Sequence, residues 1–206
     1  MKNQFDKKYW DTLYKKEKGV IIEGIDDAKS RAKYLHSFFE LEQFYIDSIL
    51  DIGFGKAKLL KEIYKTFSPS ILVGLEPSQY IFHKLLLKQK SIKLHNLSFL
   101  EYNSNRVYDL GICNSVLQYI ADKEMNSFLK KMATFCRFVY ITVPTTEEYK
   151  LMQTEVRFFD PYSFSRSKLF YKTIIQKYFR IISHSILESK LLHKSSVIRS
   201  DLFTLE

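Results

Sequence analysis

An apolar run that ends in a carboxylate and opens into two glycines, Ile49-Leu50-Asp51-Ile52-Gly53-Phe54-Gly55-Lys56-Ala57, is the part of this chain best suited to chemistry. Glycines at a strand-to-helix turn let backbone approach a ligand closely, and a carboxylate at a strand end can bind a cation or a hydroxyl. A second carboxylate follows in Ile71-Leu72-Val73-Gly74-Leu75-Glu76-Pro77-Ser78, again at the end of an apolar run. Its spacing of about 20 residues from the glycines suits a ribose, whose two hydroxyls match the two acceptor oxygens. A dinucleotide loop of the form G-x-G-x-x-G would need a third glycine at position 58, where the chain has Lys58. What remains is D-x-G-x-G.

The elements that must hold these residues alternate. Strand patterns lie at 48–51, 71–76, 92–97, 108–114 and 138–143, with helical patterns at 56–67, 78–90 and 122–135 between them. Parallel strands need long crossovers, usually helical, so the order argues for a parallel sheet. Ser78 and Asp122 are read as N-caps, because their side-chain oxygens can accept from the first turn. Before the first strand come two helical patterns, one from Phe5 through Tyr14 with Trp10, Leu13 and Tyr14 as its stripe, and one over 26–44. After Pro144 a helical stretch at 163–178 leads to apolar segments at 179–187 and 197–205, which read as a hairpin.

The D-x-G-x-G pattern resembles the first motif of the class I S-adenosylmethionine-dependent methyltransferases, with Ala57 in place of their usual third glycine. The segment Tyr108-Asp109-Leu110-Gly111-Ile112-Cys113-Asn114-Ser115-Val116-Leu117-Gln118-Tyr119-Ile120 is similar to their fourth strand and the turn after it. The resemblance spans about residues 46–145. It implies an α/β, doubly wound, mainly parallel seven-stranded sheet with a C-terminal antiparallel hairpin and an N-terminal helical extension. Residues 1–206 then form one methyltransferase-like domain: a helical cap (1–45), a cofactor-binding core (46–145), and an acceptor-side segment with the hairpin (146–206).

Carried over residue by residue, the resemblance places Asp51, Gly53, Phe54 and Gly55 at the amino-acid portion of S-adenosylmethionine. Glu76 and Pro77 fall at its ribose, and Asn114, with Ser115, near the methyl-bearing sulfur. Leu97, Ser98 and Phe99 are placed at the adenine, where many relatives carry an Asp that this chain lacks; Glu101 is the alternative acid. Gln118 and Tyr119 stand where many relatives have a histidine. In relatives a similar N-terminal "YW" helix closes over the cofactor, which makes Tyr9 and Trp10 candidates for a lid.

With 206 residues, 46% hydrophobic and 27% charged, the composition is globular and fits one domain. No run approaches the roughly 18 apolar residues of a membrane span, and the N-terminus lacks the apolar core of a secretory signal, so a cytoplasmic location is expected. Cys113 and Cys136 have no neighbouring ligand at metal spacing and read as buried thiols; no metal site is expected. The net charge of +9 is spread out: residues 1–48 carry 9 basic and 9 acidic side chains, 49–150 carry 14 and 9, and 151–206 carry 9 and 5. That spread describes solvated helix faces better than a nucleic-acid surface.

The five histidines, His36, His83, His95, His184 and His193, form no constellation, so no catalytic base is assigned. An acceptor pocket is expected from the N-terminal helices and residues 145–165, where Phe158, Phe159, Tyr162 and Phe164 could clasp a substrate and Arg157 an anion. The expected activity is methyl transfer from S-adenosylmethionine to a small-molecule or carbohydrate-type acceptor. Two alternatives stay open: a noncatalytic cofactor-binding partner protein and an RNA-modifying methyltransferase.

Overall fold

The computed structural model describes residues 4–14, 25–85, 92–155 and 157–198. Its strands are β1 (Ser48–Ile52), β2 (Ile71–Leu75), β3 (Ile92–His95), β4 (Tyr108–Asn114), β5 (Cys136–Thr142), β6 (Phe179–Ser183) and β7 (Ile186–Ser189). They form one sheet in the order β3-β2-β1-β4-β5-β7-β6. The first five run parallel, while β7 is antiparallel to both β5 and β6. The expected fold class is therefore the observed one. Strand order reverses between β1 and β4, which opens a crevice at the carboxyl ends of the central strands.

Side chains on successive strand residues point to opposite faces, and the core divides accordingly. Leu50, Ile52, Val73, Leu75 and Cys113 pack against Met125, Leu129 and Met132 of α5 (Asp122–Phe135). Ile49, Leu72, Leu110, Ile112 and Phe138 face the other way. There they meet Ala32, Leu35 and Phe39 of α2 (Ile25–Leu41) and Leu60 and Ile63 of α3 (Lys58–Phe67). At the opening of β4, Asp109 Oδ2 accepts from the N–H groups of Asp47 and Ser48 and from the Ser48 hydroxyl, which fixes the start of β1.

Several boundaries differ from the sequence reading. Asp122 is the first residue of α5 and Ala121 is its N-cap, because the Asp122 carboxylate is taken by Arg166, from Nε at 2.8 Å and Nη2 at 2.6 Å. Ser78 does cap α4 (Gln79–Lys84), accepting from Ile81 N–H, but the helix ends at Lys84; positions 86–91 lie outside the described residues. The first of the two segments expected to form the hairpin holds β6, the turn and the start of β7, which runs on to Ser189: β6 turns into β7 at His184-Ser185, with Ser185 at φ 59°. Positions 197–198 form no strand, and 199–205 lie outside the described residues. A helix absent from the sequence reading, α6 (Thr146–Glu155), follows β5, and α7 (Lys168–Ile175) is shorter than its expected 163–178.

Both cysteines are buried free thiols, and burial pushes both thiols up. A Cβ on Gly111 would come 2.6 Å from Sγ of Cys136. Gly111→Ala is therefore expected to cost about 1–3 kcal/mol of stability in urea denaturation, as overpacked core positions do. Adding Cys136→Ala, which removes that sulfur, should recover part of the loss; simple additivity of the two losses would contradict the contact.

Candidate functional site

The crevice is built where β1 and β2 end. Gly53 and Gly55 both take left-handed backbone, at φ 73° and 51°, the region glycine enters without penalty. Their loop is held down by Gly53 N–H and Phe54 N–H, which donate to Leu75 O at 2.7 and 3.2 Å, and by Ala57 N–H, which donates to Phe54 O at 2.8 Å. Ala57 is itself left-handed, at φ 56°, and fully buried as the N-cap of α3. The missing third glycine thus appears as backbone strain at an alanine. Its methyl is packed into the core beneath the loop.

Asp51 is buried at the end of β1, paired in register with Gly74 on one side and Ile112 on the other. Glu76, directly after β2, is also buried, at 4% exposure. Its Oε2 accepts from Gly55 N–H at 2.9 Å and its Oε1 from Ser78 N–H at 2.8 Å. Burial raises this carboxyl from its ordinary 4.5 to about 7, against the opposing pull of the two backbone donors. Pro77 is half-buried beside it.

The remaining candidates divide. Asn114 ends β4, its Oδ1 accepting from the Thr142 hydroxyl at 2.6 Å and, loosely, from Arg31 Nη1 at 3.4 Å. Phe54 turns its ring inward onto Gly74, where an added Cβ would come 2.8 Å from Phe54 Cδ1, so only its backbone belongs to the loop surface. Phe99 is likewise in the core, edge-on to Phe128 and Phe135. Leu97 is half-buried, and both the N–H and the hydroxyl of Ser98 donate to Glu101 Oε2, at 2.9 and 2.8 Å. The two adenine-edge alternatives, Ser98 and Glu101, are therefore one hydrogen-bonded unit.

The first helix, α1 (Lys7–Tyr14), covers this loop. Trp10 Nε1–H donates to Ser78 Oγ at 3.0 Å, and Trp10 Cη2 lies 3.5 Å from the point a Cβ on Gly55 would occupy. The Ser78 hydroxyl donates in turn to Phe5 O. Beside the tryptophan, Tyr9 and Tyr119 both donate to Oδ2 of Asp160, at 2.8 and 2.6 Å, and Tyr162 N–H donates to its Oδ1 at 3.0 Å. Phe5 and Tyr162 surround the pair of phenols. Asp160 was not among the sequence candidates, although its place before Pro161 in an aromatic-rich loop was a signal.

Arg166, also missed, is buried and ties the acceptor-side segment to the turn after β4 through Leu117 O and Ile120 O. Of the expected acceptor wall, Tyr162 joins the cluster, Phe158 is buried, and Phe164 lies against Arg166. Phe159 and Arg157 face solvent.

No family model matches the chain, and no curated protein matches it. Solved structures do. A plantazolicin methyltransferase, BpumL, in complex with a triazolic desmethylPZN analogue and SAH superposes at TM-score 0.65 and 17% identity, covering 82% of this chain and 67% of that one. In another complex of the same enzyme the chain spans only 63% of the partner's length. Magnesium protoporphyrin IX methyltransferase from Synechocystis PCC 6803, with bound SAH, gives TM-score 0.61 at 12% identity, covering 91% and 96% of the two chains. Human N-acetylserotonin methyltransferase in complex with SAM gives 0.55 at 12%, covering 89% and 59%. The fold is that of the class I, Rossmann-like S-adenosylmethionine-dependent methyltransferases. Among the described residues no helix is long and apolar enough to cross a membrane.

Two expectations follow from this geometry. Between pH 4.5 and about 7 the folded chain keeps a proton on Glu76 that the unfolded chain has released. Its contribution to stability is therefore complete below the lower value and is lost as pH rises through the upper one. Denaturant titrations at pH 5 and pH 8 should show a smaller fall in stability for Glu76→Gln than for the native chain. Asp160→Asn removes a charged acceptor shared by two phenols, so amide exchange in α1 should accelerate by about tenfold or more, with β4 and β5 unaffected; unchanged exchange would mean the cluster does not hold the helix down.

Proposed function

We propose that this chain is an S-adenosylmethionine-dependent methyltransferase acting on a small-molecule or carbohydrate-type acceptor. The observation that carries the reading is Glu76, a buried carboxylate placed at the switch-point crevice and braced against the glycine loop. Each of its oxygens accepts one backbone N–H, which leaves each a further lone pair for a hydroxyl of a vicinal diol. Beside Gly55 a Cβ would meet Trp10 of the covering helix at 3.5 Å, so the side of the loop that a ligand would use is the side the lid helix covers. The donor set fits the cofactor.

In this reading the backbone of Gly53, Phe54 and Gly55, with Asp51 behind it, holds the amino-acid portion, and Glu76 and Pro77 hold the ribose. Leu97 and the Ser98–Glu101 unit border the adenine, with Phe99 supporting them from the core, and Asn114 borders the reacting centre. When bound, the cofactor supplies an electrophilic methyl on a sulfonium. The chain's own residues supply position and dryness: Trp10 and Phe5 close over the loop, and Tyr9, Tyr119 and Asp160 hold that cover in place. In-line transfer relies chiefly on such positioning, so the lack of a histidine at Gln118 or Tyr119 is no obstacle.

Calorimetric titration with S-adenosylmethionine and S-adenosylhomocysteine should show binding of both. Folded protein that binds neither overturns the proposal. 5′-Methylthioadenosine, which keeps the ribose but lacks the titrating amino-acid end, should bind more tightly as pH rises, by up to about tenfold per unit below about 7, and level off above. Glu76→Ala should weaken it by about tenfold or more and abolish that pH dependence.

A further inference from the structure

Arg31 is a cation that the cofactor reading leaves unused. It lies in the second turn of α2 and reaches the carboxyl ends of β4 and β5. Its Nε–H donates to Asp27 Oδ2 at 2.8 Å, and its Nη1 donates to the Tyr140 hydroxyl at 2.7 Å and to Asn114 Oδ1 at 3.4 Å. Asn114 is itself fixed by the Thr142 hydroxyl. The guanidinium is thus oriented by groups on α2, β4 and β5. Nη2 makes no hydrogen bond among the described residues, and the side chain keeps 32% of its exposure.

An oriented guanidinium with an uncommitted edge suits a planar anion, because its N–H groups match the two oxygens of a carboxylate and its ordering cost has already been met. Its place in the sheet is equally informative. Glu76 follows β2, on one side of the strand reversal, whereas Arg31 stands over β4 and β5, on the other. The first position suits a cofactor's ribose and the second an acceptor. A fixed cation on the same strand-end face as a sulfonium favours an acceptor that brings negative charge. Asp27 competes for the guanidinium, but from its Nε side.

We propose that Arg31 anchors a carboxylate on the acceptor, so that the molecule methylated is a small organic acid. This deepens the methyltransferase reading and rests on it. Arg157, the sequence candidate for the same task, is exposed and has no part in the cluster.

The test uses the whole chain saturated with S-adenosylhomocysteine, titrated by calorimetry with benzoate and separately with benzamide, the same ring without the charge. Benzoate should bind more tightly than benzamide. Arg31→Gln should lower benzoate affinity by about tenfold or more, to the level of benzamide, and Arg31→Lys, which keeps the charge without the fork, should fall between. Asp27→Asn removes the competing carboxylate and should tighten benzoate binding. Benzoate that binds no better than benzamide, or binds Arg31→Gln as tightly as the native chain, overturns the inference. If Arg31→Gln fails to fold, Asp27→Asn carries the test, and unchanged benzoate affinity there overturns it. A native chain that binds no S-adenosylhomocysteine fails at the first titration, before benzoate is added, and that result overturns the parent reading itself.

Discussion

A single buried carboxylate organises the crevice. Glu76 accepts Gly55 N–H with one oxygen and Ser78 N–H with the other, so the glycine loop after β1 and the first turn of α4 are clamped to the end of β2. Ser78, held in this way, offers its hydroxyl oxygen to the Trp10 indole and donates its proton to Phe5 O, which brings α1 down over the loop. Leu75 O, one residue before Glu76, takes the N–H groups of Gly53 and Phe54. Loop, helix start and cover all refer back to two adjacent residues at one strand end.

That arrangement sets stability against function. The folded chain prefers Glu76 neutral, because burial outweighs its two backbone donors. Recognition of a diol requires the same group as an acceptor, which the ionised form serves best. Near neutrality the site is therefore balanced between a protonated state that stabilises the fold and an ionised one that the proposed ribose contact would need, a local conflict typical of functional positions. Ala57 adds to it, since an alanine held in left-handed backbone costs roughly 1–2 kcal/mol that a glycine would not.

The central elements were legible because each announced itself in local pattern. Asp51, Gly53, Gly55 and Glu76 could be placed at strand ends from apolar runs and spacing alone. Side-chain direction was less legible: Phe54 and Phe99 lie in loops beyond the strand ends but turn into the core, a choice made by Gly74 in one case and by the rings of α5 in the other. The hairpin was displaced because its turn contains no glycine; Ser185 takes the left-handed conformation instead, inside what reads as one apolar run. α6 escaped notice because it buries no residue and so has no apolar stripe to reveal it. Asp160 and Arg31 owe their roles to partners 151 and 109 residues away, and such pairings leave no mark in a local window.

Trp10 is the only tryptophan in the chain, and the fold sets it against Gly55 with its indole nitrogen bound to Ser78. Every photon of indole emission from this protein therefore originates at the ceiling of the glycine loop. The molecule carries a built-in optical gauge for that one spot: whatever enters beneath the helix, or lifts it, changes the polarity around the chain's single indole.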